Sequence, residues 1–414
     1  MRWGFVLGLV VAWIGTERLA GADTDAEIAE RARRIHASAF VFDGHNDLPW
    51  SLRKEGDVNF ETLDLAKQLP KGQTDIPRMR EGGLKAQFWS VFIPNEHENP
   101  GRTVIEQIDI VHRMVDRYPN DMELALDAAD VERIVKAGKI ASLIGIEGGI
   151  AIEEDLAMLR AFHRLGARYM TLTHNTTLDW ADSAVDLPKS HGLSPFGERV
   201  VLEMNRLGML VDISHVSAET MEDVLRIAKA PVIASHSSAF AVAPSPRNVP
   251  DEILKQLPKN GGVVMVNFYS AFVVPEAARA MSKARAEARE KNADPEKAKK
   301  AFEAWYKAYK MPRGTIKDVA DHIDHIVKVA GIDHVGIGSD FDGITSWPVG
   351  LEDVSCYPKL TEELIRRGYS DADIAKILGG NALRAFRVAG DVAKTLQTTL
   401  KPAVDQPIEK NSDD

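Results

Sequence analysis

Polar residues that could bind a metal ion or transfer a proton occur along this 414-residue chain directly after short apolar segments. In the first such group, Asp43-Gly44-His45-Asn46-Asp47, one residue separates a histidine from a carboxylate. Residues i and i+2 of an extended strand point to the same side, so His45 and Asp47 could chelate a single cation. An isolated His-x-Asp pair is a weak signal, and its meaning depends on the other groups.

Six later groups each supply one residue suited to the same chemistry, namely Glu147, His174, His215, His236, Asn267 and Asp340. Imidazole nitrogens and carboxylate oxygens are ligands that Zn²⁺ takes in catalytic sites. Glu147 has two carboxylate oxygens, enough to join an ion held by His45 and Asp47 to a second ion held by two of the later histidines. Two such ions can share a water, lower its pKa and polarise a carbonyl. The residues therefore predict metal-assisted hydrolysis.

Residues this far apart in sequence can meet only if the fold brings the strand ends together. Eight apolar segments of strand length are predicted, near residues 39–43, 84–93, 140–146, 169–173, 209–213, 231–235, 262–267 and 334–338. Amphipathic stretches with helical spacing lie between them, which indicates right-handed crossovers and a parallel sheet. Eight such units predict an α/β fold, a closed (β/α)8 barrel of the TIM type, whose carboxyl strand ends converge on one rim.

One segment, at about 276–310, interrupts the alternation of strands and helices. It is rich in Ala, Lys, Arg and Glu, and aromatic residues gather near its end. Asp294-Pro295 predicts a break, so we expect a two-helix insertion between strands seven and eight. Two interpretations remain open: a solvated hairpin inserted at low free-energy cost, or a lid over the catalytic end of the barrel.

The composition excludes several classes of protein. Lys and Arg total 51 against 61 Asp and Glu, and the resulting formal charge of −10 argues against a nucleic-acid-binding protein. The single cysteine, Cys356, excludes an intrachain disulfide, a cysteine-rich zinc fold and a thiol redox couple. Because no internal repeat or low-complexity linker occurs, we expect a single domain over residues 23–400, followed by a polar tail at 401–414.

The amino-terminal segment has the pattern of a targeting signal. An apolar stretch at 3–14 is followed by small residues at 20–22 and then by acidic residues. This pattern predicts a secretory signal peptide over residues 1–22, with an uncleaved anchor as the alternative. No cysteine follows the apolar stretch, and the tail at 401–414 lacks a hydrophobic run. We therefore expect a secreted or periplasmic protein without a stable membrane anchor.

Nine sequence blocks occur in order between about residues 35 and 386. They are DGHNDLPW at 43–50, EGG at 147–149, LTH at 172–174, GLSPFG at 192–197, HVS at 215–217, SHSS at 235–238, RNVPD at 247–251, VNFY at 266–269 and DFDG at 340–343. Together they resemble the renal (membrane) dipeptidase family, a branch of the amidohydrolase-like barrels. The resemblance implies a binuclear zinc peptidase, homodimeric, that hydrolyses dipeptides and tolerates a D-residue at the C-terminal position.

Ligand roles follow from this resemblance position by position. His45, Asp47 and Glu147 are implied to bind one Zn²⁺. Glu147, His215 and His236 are implied to bind the other, so that Glu147 and a water or hydroxide bridge two Zn²⁺ ions per chain. Glu147 is the one ligand common to both ions.

The resemblance also implies substrate contacts. His174, Arg247, Tyr269 and Asp340 are implied to bind the dipeptide, and His174 and Asp340 are implied to be catalytic. His174 would polarise the scissile carbonyl. Asp340 would move the proton from the attacking water to the leaving amine, although it could instead be a further weak metal ligand or a purely structural acceptor. A bidentate grip of Arg247 on the free C-terminal carboxylate would explain a limit to two residues.

Other interpretations remain beside this one. A related barrel amidohydrolase acting on N-acyl amino acids or β-lactams would use the same residues, and a catalytically silent binding protein would keep the pocket. The insertion at about 276–310 has no counterpart in the mammalian members of the family. His322 and His325, three residues apart on a predicted outer helix, are not expected to bind metal. Cys356 is expected to be a buried small apolar residue.

Overall fold

Nine strands form one sheet in the computed structural model, which describes residues 24–403 except 57, 59 and 95–97. The predicted signal peptide and most of the predicted polar tail lie outside the described residues. The strands are β1 (Val41–Asn46), β2 (Leu84–Phe92), β3 (Met122–Leu124), β4 (Ile140–Glu147), β5 (Ala167–Thr171), β6 (Leu210–Asp212), β7 (Ile233–Ala234), β8 (Val263–Val266) and β9 (Val335–Ile337).

Eight of these strands close into a parallel barrel. β1 pairs with β2 and β9, β2 pairs with β4, and β4 to β9 pair in chain order. The predicted (β/α)8 barrel is confirmed, and the eight predicted strands correspond to β1, β2 and β4 to β9. β3 was not predicted. Among the described residues it pairs with the first residues of β4, and its sequence, Met122-Glu123-Leu124, has a glutamate at its centre and therefore no apolar run.

Helices surround the barrel and follow most of its strands. They are α1 (Asp25–Ser38), α2 (Leu48–Glu55), α3 (Ile76–Glu81), α4 (Pro100–Arg117), α5 (Ala128–Lys136), α6 (Leu156–Arg164), α7 (Pro195–Leu207), α8 (Ala218–Ile227), α9 (Asp251–Leu254), α10 (Leu257–Asn260), α11 (Ser270–Val273), α12 (Pro275–Lys291), α13 (Pro295–Ala308), α14 (Ile316–Ala330), α15 (Tyr357–Arg366), α16 (Asp371–Ala375) and α17 (Asn381–Thr399). Within the described ranges, we find no helix with the length and apolar character needed to cross a membrane.

Local sequence explains where the helices begin and end. In α7, the Ser194 hydroxyl accepts a hydrogen bond from the Gly197 backbone, Pro195 occupies the first turn, and the C-cap residue Gly208 has φ +78°. These are the preferred residues for an N-cap, a first helical turn and a left-handed C-cap. Ser194 and Pro195 of the block at 192–197 are therefore explained by helix initiation.

Aromatic side chains fill the part of the barrel below the rim. The rings of Phe42 and Phe88 lie 5.5 Å apart, and those of Phe88 and Tyr169 lie 4.7 Å apart. The Tyr169 ring covers Gly145 so closely that a Cβ there would lie 2.0 Å from Tyr169 Cζ. The glycine in β4 thus makes room for a tyrosine whose hydroxyl reaches His45 on the rim.

The predicted insertion forms two helices, α12 and α13. The Asp294 carboxylate accepts hydrogen bonds from two backbone N–H groups of the first turn of α13, which begins at Pro295 as expected. The aromatic end of α13 lies against the rim, where the hydroxyl oxygens of Tyr306 and Tyr269 are 2.6 Å apart. The insertion therefore borders the rim of the barrel and is not a hairpin surrounded only by solvent.

Candidate active site

The ends of several strands bring the predicted metal ligands together at one rim. His45 lies near the end of β1, and Asp47 follows as the N-cap of α2. Glu147 is the last residue of β4, while His215 and His236 lie in the loops after β6 and β7. All five side chains are buried. A barrel explains this meeting, because parallel strands deliver their carboxyl ends to the same side.

The two oxygens of Glu147 face different partners. Its Oε2 lies 3.5 Å from His45 Nε2, whereas its Oε1 lies 3.0 Å from His215 Nε2 and 3.5 Å from His236 Nε2. Asp47 Oδ2 lies 3.3 Å from His45 Nε2, on the same side as Oε2. This is the arrangement that a carboxylate shared between two cations requires.

The candidate ligand atoms form three overlapping groups, each within 4.8 Å: His45 with Glu147 and His236, Glu147 with His174 and His215, and His45 with Asp47 and Asp340. This grouping differs from the two expected ligand sets: it brings in His174 and Asp340, and it places His236 with His45 rather than with His215. His174 Nε2 lies 3.8 Å from Glu147 Oε1, beside the predicted ligands. Asp340 Oδ1 lies 4.0 Å from His45 Nε2.

The donor set fits a divalent metal ion. Within the described residues, His45 Nε2 is buried and has no hydrogen-bond partner. Its lone pair or proton would be costly to bury without a cation or an acceptor. Imidazole nitrogens and carboxylate oxygens in one dry cluster match the ligand preference of Zn²⁺.

A second layer of contacts orients two of the imidazoles. His236 Nδ1 lies 2.7 Å from Ser235 Oγ, and the Ser235 hydroxyl donates its proton to Asp212. Ser235 can therefore only accept from His236 Nδ1–H, which places the lone pair of His236 on Nε2, the atom that lies 2.9 Å from His215 Nε2 and 3.5 Å from Glu147 Oε1. His45 Nδ1 lies 2.7 Å from the Tyr169 hydroxyl. Sequence reasoning missed Asp212 and Tyr169. The position of Asp212 at the end of a strand could have indicated Asp212, but no such signal marks Tyr169.

The cluster shifts the pKa of its members in opposite directions. Burial would raise the pKa of Glu147, but the facing imidazoles of His45, His215 and His236 hold that pKa well below its usual range. Burial lowers the pKa of His215 and of His236 well below the ordinary value. For His215, His236 and Glu147 these directions favour the protonation states that bind metals, a neutral imidazole and an ionised carboxylate. The pKa of His45 is shifted the other way: burial lowers it, but the neighbouring Tyr169, Glu147 and Asp47 raise it well above the ordinary value.

Asp340 is held in place beside this cluster. Its Oδ2 accepts a hydrogen bond of 2.9 Å from Asn267 Nδ2. Burial raises the pKa of Asp340 well above its ordinary value; the His45 imidazole opposes this shift, and the carboxylates of Asp47 and Glu147 add to it. A carboxyl group whose proton affinity is raised in this way suits the transfer of a proton.

Backbone strain and close approach occur at this rim. His215 and Asp340 have φ of +70° and +66°, in the left-handed region that few residues other than glycine adopt. A Cβ on Gly343 would lie 2.1 Å from Asp47 Oδ2 and 2.7 Å from Asp340 Oδ1. The glycine of the block at 340–343 therefore allows two carboxylates to approach the backbone.

Arg247 lies buried beside the cluster with most of its donors unused. It is 3% exposed, and its Nη1 lies 3.5 Å from Ser237 Oγ. Its Nε and Nη2 have no hydrogen-bond partner among the described residues. Burial lowers the pKa of Arg247 to about 10, so the guanidinium keeps its charge at neutral pH. Arg247 and Tyr269 line the same cavity, of about 200 Å³.

The residues that were set aside have structural partners. His322 is buried, its Nδ1 accepts from the Ala239 backbone at 3.0 Å, and its Nε2 lies 3.2 Å from the Val273 carbonyl. His325 Nε2 lies 2.7 Å from Asp251 Oδ1. Cys356 is buried and unpaired, as expected. None of the three lies in the ligand groups found among the described residues.

The unfolding free energy should depend on pH through His322. Burial lowers its pKa to about 4, from an ordinary 6.5, so the unfolded chain binds the proton more tightly between these values. The stabilisation is present above pH 6.5 and lost as pH falls toward 4, about 2 to 3 kcal/mol by pH 4.5. We expect urea unfolding of His322→Gln to show a smaller loss over this window than the parent, and parallel curves would contradict the assignment.

Known proteins resemble this chain over most of its length. The sequence profile of the membrane dipeptidases (peptidase family M19) matches residues 29–400. The probable dipeptidase PvdM from Pseudomonas aeruginosa is 28% identical, with a TM-score of 0.78 over 89% of this chain and 100% of that chain. A metallopeptidase from Rhodobacter sphaeroides, solved with a phosphinate mimic of the dipeptide L-Ala-D-Ala, is 25% identical, with a TM-score of 0.71 over 85% and 99% of the two chains. A family M19 metallopeptidase, dipeptidase AC, is 26% identical, with a TM-score of 0.69 over 85% and 98%.

Proposed function

Since the chain belongs to the membrane dipeptidase family, a family of metal-dependent peptide-bond hydrolases, we propose that it cleaves dipeptides with two bound Zn²⁺ ions. The observation that carries this proposal is the position of Glu147, whose two oxygens face His45 on one side and His215 on the other. One carboxylate shared between two groups of candidate ligands is suited to a binuclear site.

The proposed ligand sets divide at Glu147. His45, Asp47 and Glu147 would hold one ion, and Glu147, His215 and His236 would hold the other. When bound, the ions supply Lewis-acid chemistry, lowering the pKa of a water and polarising the scissile carbonyl. His174, whose pKa is lowered by burial, is a neutral donor at the edge of the cluster for the developing oxyanion.

Proton transfer is assigned to Asp340. Its carboxylate accepts the proton of the attacking water and returns it to the leaving amine as the C–N bond breaks. Asn267 donates to Asp340 Oδ2 and accepts from the Tyr269 backbone, so the Asp340 carboxylate is held by a side chain that is itself fixed. The remaining oxygen, Oδ1, faces the ligand cluster.

Recognition of a dipeptide is assigned to Arg247 and Tyr269. The free Nε and Nη2 donors of Arg247 can bind the C-terminal carboxylate of the substrate through two parallel hydrogen bonds. These two residues line a cavity of about 200 Å³, in which a side chain of the substrate would lie. The relative bound to a mimic of L-Ala-D-Ala supports a D-residue at this position.

Arg247→Lys should mainly raise KM. Lysine keeps the positive charge but loses the planar pair of donors, so ground-state and transition-state binding weaken together. Steady-state kinetics with a free dipeptide and with its C-terminal amide test this. We expect the amide to be a poor substrate for the parent and only slightly worse for the variant. If the parent cleaved the amide as well as the free dipeptide, Arg247 would not bind the C-terminal carboxylate.

The experiment that tests the proposed function is a dipeptide panel. The purified protein, loaded with Zn²⁺, is assayed with L-L and L-D dipeptides, with N-acetylalanine and with a tripeptide, before and after treatment with a chelator. We expect hydrolysis of dipeptides alone, lost on chelation and restored by Zn²⁺. Hydrolysis of the N-acyl amino acid in preference to dipeptides would contradict the proposal and favour the amidohydrolase alternative.

Export and assembly form a separate part of the proposal. We infer from the residue pattern at 1–22 that processing removes this segment and leaves Asp23 at the mature amino terminus. Intact-mass analysis of the exported protein should give this terminus, and membrane-bound protein that retains Met1 would contradict it. The homodimer that the family resemblance implies is tested by light scattering on the same sample.

A further inference from the structure

The cavity beside Arg247 contains a second arginine that the proposed function does not use. Arg285 belongs to α12 of the insertion, and it lines the cavity together with Arg247, Tyr269, Phe272, Phe302 and Tyr306. Arg247 comes from the loop after β7, so two unrelated elements deliver positive charge to one small space. No acidic side chain is among the described residues that line the cavity, so a bound anion would be attracted by both guanidinium groups.

The Arg285 side chain is held by an aromatic ring rather than by an acid. Its guanidinium carbon lies 4.2 Å from the centre of the Phe302 ring, a cation–π contact that fixes the planar group against one wall. Burial lowers the pKa of Arg285 to about 10, with Arg289 acting in the same direction, and the side chain is still charged at neutral pH. The group is therefore oriented and charged before any ligand arrives.

No internal acceptor uses these donors. Among the residues that the structure describes, no hydrogen bond or ion pair joins Arg285 to another residue. Asp186 is the acidic group that acts on it electrostatically. Asp186 is already engaged by the Thr177 and Leu187 backbone N–H groups, and it lies 3.8 Å from Arg289. The charge of Arg285 thus remains available to a ligand in the cavity.

We propose that Arg285 binds a second carboxylate of the substrate, so that the preferred dipeptides carry an acidic residue at the C-terminal position. This inference rests on the proposed function, in which Arg247 binds the main-chain carboxylate. The aromatic rings of Phe272 and Phe302 would flank the methylene groups of the side chain, and the guanidinium of Arg285 would pair with its carboxylate. A cavity of about 200 Å³ accommodates a side chain of this size.

The test compares glutamate with glutamine, which have nearly the same shape but differ in charge. Zn²⁺-loaded protein is assayed with Ala-D-Glu, Ala-D-Gln and the corresponding L-L dipeptides, and kcat/KM is measured for each. We expect the parent to favour glutamate by about tenfold or more. In Arg285→Met this glutamate-to-glutamine ratio should fall to about one. In Arg285→Lys the ratio should be intermediate, because lysine keeps the positive charge but lacks the paired N–H donors of the guanidinium.

Arg279 provides the matched control. It is an exposed arginine on the same helix, so Arg279→Met removes the same charge from α12 without touching the cavity. We expect its glutamate-to-glutamine ratio and its activity to equal those of the parent. A parent ratio near one, or an unchanged ratio in Arg285→Met, would overturn the inference.

Two further measurements separate this inference from the proposed function. Hydrolysis of Ala-D-Ala or Ala-L-Ala with no preference for glutamate would overturn the inference and leave the dipeptidase proposal standing, whereas failure of every dipeptide would overturn both. If Arg285→Met is inactive, calorimetry with free D-glutamate and D-glutamine on the Zn²⁺-loaded proteins gives the same comparison. Equal affinities of the parent for the two amino acids would then count against the acidic subsite.

Discussion

Asp340→Asn should lower kcat by a factor of about 10²–10⁴ while the protein keeps two metal ions. Asparagine preserves the size of the side chain and tolerates the left-handed backbone at this position, where φ is +66°. It cannot accept and return a proton, and positioned acid–base catalysis contributes a factor of this order. Steady-state kinetics and metal analysis on the same sample test the prediction.

Asp342 supplies the control for this substitution. It lies two residues further along the same loop, has φ of +64°, and its Oδ1 accepts a hydrogen bond from the Gln73 backbone. It is absent from the three groups of candidate ligands found in the described residues. Asp342→Asn should therefore keep kcat close to that of the parent. Normal kcat in Asp340→Asn with two ions bound would remove Asp340 from the proton transfer.

The barrel could be predicted because its physical causes are local. Each strand is a short apolar run, each outer helix repeats its apolar residues every three or four positions, and closure follows from their number. The convergence of His45, Glu147 and His236 then follows from topology alone. The break within the insertion could be predicted for the same reason. An aspartate followed by proline is a local signal for the start of a helix, and α13 begins at Pro295 with Asp294 as its N-cap.

The contacts that orient the site could not be predicted in the same way. Tyr169 lies in the middle of β5, where a buried aromatic residue is ordinary. Only the three-dimensional structure shows that its ring covers Gly145 and that its hydroxyl reaches His45. The sequence also does not indicate that the charged side chain of Arg285 lines the cavity. A helix rich in Lys, Arg and Glu is expected to be exposed to solvent on all sides. The packing of the insertion on the rim determines which of its arginines faces inward.

Glu147→Gln tests the binuclear centre itself, and we expect it to lower both metal content and activity. The amide keeps the shape of the side chain but replaces one oxygen with an NH₂ group, which cannot bind a cation. Because one oxygen faces His45 and the other faces His215, either orientation of the amide leaves one ligand group without its shared carboxylate oxygen. Metal content should fall from two ions per chain toward one, and kcat/KM by at least about 10³, more than the loss of a single electrostatic donor.

Glu203 distinguishes this effect from the general cost of altering a buried glutamate. It is equally buried, but it pairs with Arg206 at 2.7 Å on α7, away from the metal ligands. Glu203→Gln should lower the thermal unfolding midpoint, since it weakens a buried ion pair, while two ions and normal kcat remain. If Glu147→Gln instead bound a single ion with full activity, the shared carboxylate would not be needed for hydrolysis. One ligand group would then suffice, and the proposal of two Zn²⁺ ions would have to be replaced by a mononuclear centre.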